Sequence, residues 1–421
     1  MQCDVLVIGA GFSGLMAAVT AADRNKKVAV IAEGKGNLYA AAGFIDFLGY
    51  YPRLAREPLK KTTRALQELI TGEPEHPYAI AGEKTIREAF AYFSNLMAAI
   101  GYPYYGSWEQ NRLLPTAVGA IAPTAMVPRT AKPHLENYPK VLVAGFQEQG
   151  DFFPFLVAEN LQEQCRQFNL PTEIEAKWLE LGINITTKEI NSFDVALMLE
   201  NKEIRERAIA QLKKVIKPGT LLVIPSVLGV YRWPEVLSSF EETLDCPVME
   251  IPTLPPSVMG FRLAEGLLAY LQRKHVEFYW NCEIKKVDTA SGECRGVTAV
   301  AVNGREIYFR ARNYILATGG VLGGGIKVGV TDAEERVFNL PVHGDIRVHD
   351  EDFFANQPYA YAGLRVTPRL QPKDQQDRVL YRNVFIAGRN LYGYDPFAEK
   401  SGNGVALVTG YLAGALAARG S

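Results

Sequence analysis

The run Asp4-Val5-Leu6-Val7-Ile8-Gly9-Ala10-Gly11-Phe12-Ser13-Gly14-Leu15 decides the fold of this chain. Its apolar part, Val5 to Ile8, has the length and β-branched content of a buried strand. Three glycines follow in G-x-G-x-x-G spacing, and a helical pattern of apolar residues begins directly after them. A second strand, 27 to 32, ends on Glu33, about 20 residues after the last glycine, which is the spacing of the dinucleotide-binding fingerprint.

Each residue of this fingerprint has a physical task. Gly9 allows a tight turn, Gly11 lets the backbone approach a pyrophosphate, and Gly14 lets the helix lie close on the strand. The helix N-terminus offers unpaired N–H groups and a partial positive charge to phosphates. Glu33 can accept hydrogen bonds from ribose hydroxyls, and its charge would repel a 2′-phosphate. The sequence therefore predicts a dinucleotide site; the alternative is an ordinary βαβ unit with a glycine-rich turn.

Length and composition limit the class of protein. The 421 residues suffice for two or three domains, and 48% hydrophobic with 22% charged residues is typical of a soluble globular protein. A formal net charge of -1 argues against a general nucleic-acid-binding protein. The five cysteines show no C-x-x-C or iron–sulfur spacing, so we expect a reducing compartment, no metal site, and any iron–sulfur relay on another chain. Neither a signal peptide nor an apolar run of membrane-spanning length is recognised.

The strand and glycine patterns divide the chain into two predicted units. The first is a discontinuous α/β unit that holds the dinucleotide, and it is assigned residues 1–50, 255–325 and 375–421. The second is an inserted α/β cap, and it is assigned residues 51–254 and 326–374.

Three further segments of small residues would suit backbone packed against a cofactor. Ile315-Leu316-Ala317-Thr318-Gly319-Gly320 follows a predicted β-meander. Asn383-Val384-Phe385-Ile386-Ala387-Gly388 is a strand ending in glycine, and Ser401-Gly402-Asn403-Gly404 precedes the last helix. Gly43 lies in the segment 39–46, for which the alternative is a flexible surface loop.

Together these pieces resemble the glutathione-reductase-like FAD fold, in the group that includes the flavoprotein subunits of fumarate reductase and succinate dehydrogenase. The resemblance rests on G-A-G-F-S-G at 9–14, Glu33, I-L-A-T-G-G at 315–320 and N-V-F-I-A-G at 383–388. It implies an α/β fold in which a Rossmann-type FAD-binding domain carries an inserted α/β domain, and in which Gly388 and the stretch 401–405 approach the flavin ring. The residues expected to bind the cofactor are Gly9, Gly11, Phe12, Ser13, Gly14, Glu33, Gly43, Ala317, Thr318, Gly319, Gly388, Gly402, Asn403, Gly404 and Val405.

A narrower resemblance is to the B subunit of anaerobic glycerol-3-phosphate dehydrogenase. The matching motifs are H-P-Y at 76–78, P-T-L-P-P-S-V-M-G at 252–260 and D-F-F-A-N-Q-P at 352–358. This family implies a quinone-linked enzyme with two further chains: the A subunit, which is a second flavoprotein, and the C subunit, which is an iron–sulfur membrane anchor. It also implies a cytoplasmic location, peripheral at the inner face of the cell membrane through those partners. The family is usually assigned FMN, but the fingerprint with Glu33 favours FAD, because FMN has neither a pyrophosphate nor a second ribose.

Oxidation of an alcohol by a flavin requires a base for the hydroxyl proton and, for a phosphorylated substrate, a cation that holds the phosphate. The candidate bases are His343 and His349, and the candidate anion holders are Arg262, Arg347 and Arg389. The alternative for each is a surface or hydrogen-bonded residue without a catalytic role.

Three functions stay open from the sequence. The first is a flavin subunit of a respiratory glycerol-3-phosphate dehydrogenase, which converts glycerol 3-phosphate to dihydroxyacetone phosphate. The second is a stand-alone flavin-dependent reductase or dehydrogenase of another small substrate, such as a dicarboxylate or a ketosteroid. The third is a non-catalytic chain that serves assembly or electron transfer.

Overall fold

The structure, a computed structural model, describes residues 1–53, 55–183, 190–329, 332–344, 352, 355 and 357–419. The helices are α1 Phe12–Ala22, α2 Thr63–Gly72, α3 Pro77–Ile100, α4 Pro154–Gln167, α5 Ser192–Leu199, α6 Lys202–Lys213, α7 Trp233–Leu244, α8 Val258–Arg273 and α9 Gly402–Arg419. The strands are β1 Gln2–Ile8, β2 Val28–Ala32, β3 Tyr104–Gly106, β4 Arg112–Pro115, β5 Ile121–Thr124, β6 Met126–Pro128, β7 Lys140–Phe146, β8 Glu173–Leu179, β9 Thr220–Pro225, β10 Val248–Ile251, β11 Glu277–Trp280, β12 Cys282–Ala290, β13 Glu293–Ala301, β14 Glu306–Leu316, β15 Ile326–Val328, β16 Ala333–Glu335 and β17 Val384–Ile386.

The first strand lies inside a seven-stranded sheet of order β11-β2-β1-β14-β13-β12, with β17 also paired to β14. β1 is parallel to both of its neighbours, so that Val5 lies opposite Val28 on one side and Asn313 on the other. The residues from Val5 to Ile8 are buried. A strand that is covered on both faces needs apolar side chains throughout, which explains its continuous apolar run.

Two helices cover one face of this sheet and pack on each other. Every residue of α1 is buried, and α9 lies against it. A side chain at Gly414 of α9 would overlap the carbonyl oxygen of Ala17, and one at Gly410 would crowd that of Ser13. The G-x-x-x-G spacing of α9 therefore lets the two helices approach closely inside the core.

The second sheet has four parallel strands in the order β10-β9-β7-β8. Its two faces bury separate apolar clusters, one of which includes Phe146 and Phe240 and the other Phe152 and Leu161. The α/β fold with parallel strands is as predicted from the sequence. The assigned domain limits stay a prediction, and α2 and α3, which come from the segment assigned to the cap, bury side chains in the same core as β1.

A buried ion pair connects the second sheet to α8. Arg262 Nη1 lies 2.6 Å from Glu250 Oε2, and the two side chains are 2% and 0% exposed. Arg262 Nε also donates to the carbonyl oxygen of Gly229, at 2.9 Å. Burial opposes the charge on Arg262, but Glu250 favours it, and the pKa of the guanidinium is raised. The N–H groups of Arg262 are therefore occupied by hydrogen bonds within the protein.

Replacement of Arg262 by Met should lower the free energy of unfolding by about 3–5 kcal/mol, because it leaves Glu250 charged, buried and unpaired. The double variant Arg262→Met, Glu250→Gln should recover a large part of that loss. Urea unfolding followed by circular dichroism measures both. Arg64→Met is the matched control, since Arg64 pairs with Glu68 at 2.8 Å on an exposed helix face, where such pairs contribute about 0.5 kcal/mol or less. Equal losses in the two single variants would contradict a structural role of the buried pair.

Candidate cofactor site

The three glycines of the fingerprint lie in three different environments. Gly9 has a φ of +110°, and a Cβ there would overlap the carbonyl oxygen of Ala317. A Cβ on Gly14 would overlap the carbonyl oxygen of Gly9. A Cβ on Gly11 would meet no atom within 4 Å. The end of β1, the end of β14 and the start of α1 are thus in backbone contact, and Gly11 faces open space.

That open space belongs to a cavity of about 540 Å³, which lies within the usual size range of ligand sites. Among the residues predicted to bind the cofactor, those that line it are Gly9, Gly11, Phe12, Ser13, Glu33, Ala317, Thr318, Gly319, Gly402 and Asn403. They come from β1, α1, β2, the turn after β14 and the start of α9. The structure therefore places segments that are far apart in sequence around one cavity.

The other predicted cofactor residues do not line the cavity: Gly14, Gly43, Gly388, Gly404 and Val405. Gly14 and Gly388 lie directly behind its wall, against the lining residues Gly9 and Ser13. A Cβ on Gly388 would overlap the Ser13 hydroxyl, so this glycine lets the end of β17 pack on the first turn of α1. Gly404 N donates to the carbonyl oxygen of Asp46 at 2.7 Å, which fixes the start of α9.

Several lining residues were missed by the sequence reasoning. At the Glu33 end these are Cys282, Ile284 and Arg336, and at the α9 end they include Tyr394 and Phe397. No motif marks them, because they enter the wall from β12, from the segment after β16 and from the turn before α9. Burial raises the pKa of the Cys282 thiol.

Asn390 was also missed, and it holds the wall from behind. Its side chain is fully buried. Oδ1 accepts from the Gly320 N–H at 2.8 Å and from the Thr318 hydroxyl at 3.2 Å, and Nδ2 donates to the Leu316 carbonyl oxygen at 3.2 Å. One amide group thus fixes the turn at the end of β14. Its position two residues after the glycine of N-V-F-I-A-G was the available signal.

The structure does not bring the described catalytic candidates, Arg262, His343 and Arg389, together in the cavity. Arg347 and His349 lie outside the described residues, and Arg262 belongs to the buried ion pair. His343 is half-buried and does not line the cavity; burial, reinforced by the positive charge of Arg365, lowers its pKa.

Arg389 is the catalytic candidate that the structure places in the cavity wall. Its Nη2 donates to the carbonyl oxygen of Ala360, and its guanidinium carbon lies 5.4 Å from the centre of the Tyr394 ring. Nε and Nη1 are buried and form no hydrogen bond of good geometry within the described part of the chain, and the guanidinium approaches the Tyr394 hydroxyl. Burial raises the pKa of Tyr394 to about 12, although the nearby charge of Arg389 acts in the opposite direction.

The described residues contain no cluster of three His, Cys, Asp or Glu side chains suited to a metal ion. Among the described helices, none is both long and apolar enough to cross a membrane.

Comparison with known proteins identifies the family. The FAD binding domain family matches residues 4–405. A protein from Halobacterium salinarum, named as a probable B subunit of anaerobic glycerol-3-phosphate dehydrogenase, is 30% identical over 436 residues, which cover 99% of this chain and 98% of that protein. The chain belongs to this family of FAD-binding proteins.

A second relative of the same name also matches this chain over nearly its full length. The B subunit of anaerobic glycerol-3-phosphate dehydrogenase from Aliivibrio fischeri is 28% identical, over 98% of this chain and 94% of the relative. A solved flavocytochrome c3 fumarate reductase in its open conformation is 10% identical, with a TM-score of 0.48, over 99% of this chain and 78% of that chain. The resemblance to the B-subunit family that the motifs indicated is confirmed by the full-length relatives of this FAD-binding family.

Gly11 and Gly14 provide a direct test of the cavity. Gly11→Val should fold with a loss of stability of about 1 kcal/mol or less, since Val is a poorer helix N-cap than Gly, but should lose FAD because the side chain projects into the cavity. Gly14→Val should fail to fold, because its Cβ overlaps backbone. Thermal unfolding of the apoproteins and flavin content after reconstitution measure both effects. A Gly11→Val protein that retained FAD with unchanged affinity would contradict the assignment.

Proposed function

We propose that this chain binds FAD and acts as the B subunit of a quinone-linked glycerol-3-phosphate dehydrogenase. The observation that carries the proposal is the cavity at the N-terminus of α1, formed in a chain that matches relatives of that name over nearly its full length. In this proposal the partners are the flavoprotein A subunit and the iron–sulfur C subunit. The C subunit is the membrane anchor, and the complex lies at the inner face of the cell membrane.

The order of the strands supports FAD over FMN. Cys282 and Glu33 follow the neighbouring strands β11 and β2, Gly11 follows β1, and the lining continues after β14 and at the start of α9 with Gly402 and Asn403. In the proposed assignment the N–H groups at the start of α1 hold the pyrophosphate, Glu33 accepts from the ribose, and the start of α9 lies beside the flavin. FMN has no adenosine to fill the Glu33 end.

Arg389 supports the presence of an anionic or oxygen-rich ligand. The side chain of Arg389 is part-buried and lines the cavity, so its charge is shielded from much of the solvent. No carboxylate of the described residues forms an ion pair with it. Its positive charge therefore lies beside the cavity without a described counter-ion, and we assign Arg389 to anion binding there.

FAD, when bound, accepts two electrons from a substrate as a hydride. The chain must supply a group that accepts the hydroxyl proton, and His343 and His349 stay the proposed bases. The described residues that line the cavity include no His, Lys or Asp, and their one carboxylate, Glu33, is assigned to the ribose in this proposal. Arg347 and Arg389 are the proposed holders of the substrate phosphate, whereas the ion pair with Glu250 leaves Arg262 without a free donor.

The lack of such a base in the described wall favours a second candidate function. In it the chain holds FAD and transfers electrons within the complex, while the flavoprotein partner, the A subunit, oxidises the substrate. Both candidates require FAD in this cavity, but they differ in whether glycerol 3-phosphate reduces the isolated chain.

The purified chain should be yellow and should release FAD on denaturation. Under anaerobic conditions, bleaching of the flavin absorbance by glycerol 3-phosphate would support substrate oxidation in this chain. Bleaching by dithionite alone, with glycerol 3-phosphate effective only after the flavoprotein partner is added, would support the electron-transfer candidate. Release of FMN would contradict the ribose assignment of Glu33. A colourless protein that could not be reconstituted would contradict both functions, and Gly11→Val provides the matched colourless control.

A further inference from the structure

Arg336 lies at the Glu33 end of the cavity and has no role in the fingerprint. It directly follows β16, the second strand of the short β15–β16 hairpin, and its backbone N–H donates to the Gly325 carbonyl oxygen at 3.1 Å. Both Arg336 and Gly325 line the cavity. The base of the hairpin therefore forms part of the wall around the nucleotide end.

The guanidinium of Arg336 joins three separate segments. Nη1 lies 3.6 Å from Glu33 Oε2, at the end of β2, and donates to the Gly324 carbonyl oxygen at 3.2 Å. Nη2 donates to Glu283 Oε1, in β12, at 3.0 Å. Lys285, followed by Arg336, lowers the pKa of Glu283, so this carboxylate beside Arg336 is ionised at neutral pH. One cation thus separates two acidic side chains at the edge of the cavity.

These contacts are too exposed to be a major source of stability. The side chains of Arg336 and Glu33 are 36% and 59% exposed, and such pairs usually contribute less than about 1 kcal/mol. The contacts matter more for the orientation of the Glu33 side chain than for stability, because an exposed Glu without such a partner samples several rotamers. Oε2 faces Arg336 at an ion-pair distance and not at a hydrogen-bond distance, and Oε1 makes no hydrogen bond with a described residue. Oε1 is therefore available to a ligand.

We propose that Arg336 is a positioning residue for the adenosine half of the cofactor: it fixes the Glu33 carboxylate so that one oxygen stays free for the ribose 2′-hydroxyl. This inference rests on the proposed binding of FAD. According to this inference, Arg336 determines the selectivity for a ribonucleotide over a 2′-deoxyribonucleotide. A residue that only formed part of the cavity wall would not affect that selectivity.

The test compares the binding of ADP and 2′-deoxy-ADP to flavin-free protein by titration calorimetry. A hydrogen bond to a charged group contributes about 1.5–3 kcal/mol, so the unmodified chain should prefer ADP by about tenfold or more. Arg336→Gln should reduce this preference to about threefold, because the affinity for ADP falls while the affinity for 2′-deoxy-ADP stays nearly unchanged. Glu33→Gln should give a similar preference, and the double variant should add little, since both changes remove the same interaction. Arg336→Lys should restore part of the preference.

Lys285→Met is the matched control. Lys285 pairs with the same Glu283, at 2.5 Å, but it neither lines the cavity nor contacts Glu33. This variant should keep the full preference for ADP. An Arg336→Gln protein with the original preference, or one that loses both nucleotides equally, would overturn the inference while leaving FAD binding in place. If the unmodified chain bound neither FAD nor ADP, the proposed function itself would be contradicted, and the inference with it.

Discussion

The close approach of three backbone segments is the constraint on which the site depends. β1 ends against the segment that follows β14, and α1 starts on top of both, with no room for a side chain at Gly9 or Gly14. Because these contacts are between backbone atoms, the first N–H groups of α1 are fixed relative to the sheet rather than to mobile side chains. The free face at Gly11 then opens to the cavity, where the partial charge of the helix N-terminus can act on a phosphate.

The C-terminal segment fixes the part of the cavity wall at the start of α9 through the same kind of close packing. Gly388 packs on the Ser13 side chain, and its N–H donates to the Thr409 hydroxyl of α9 at 2.9 Å. α9 in turn lies on α1 through its own glycines. β17, α1 and α9 therefore fix one another, and the start of α9, which carries Gly402 and Asn403, has a defined position relative to Gly11. This packing explains why the last helix needs small residues along its length, although only its first turns reach the cavity.

The fold and the fingerprint end of the site could be predicted because their signals are local. Strand, glycine turn, helix and second strand are adjacent in sequence, and each glycine has a steric reason to be there. Arg336 and Asn390 could not be assigned in this way, because their partners come from segments tens of residues away. The same reason applies to Arg262. The sequence shows only a cation on a helix, whereas its partner Glu250 lies in β10 of the second sheet. Charged residues without a local motif are where sequence reasoning alone had least power.

The distribution of charge argues that the wall is built for an anion. The charged side chains in the described lining are Glu33, Arg336 and Arg389, and the first two neutralise each other. Behind the lining, the buried carboxylate of Glu399 is hydrogen-bonded by three groups, which are the His76 ring at 3.1 Å, the Ser401 hydroxyl at 2.9 Å and the Asp395 N–H at 3.0 Å. A carboxylate satisfied in this way stabilises the turn before α9 without competing for Arg389. The charge of Arg389 and the partial charge at the N-terminus of α1 are thus not neutralised by a described carboxylate, and the electrostatics of the cavity favour an anionic ligand.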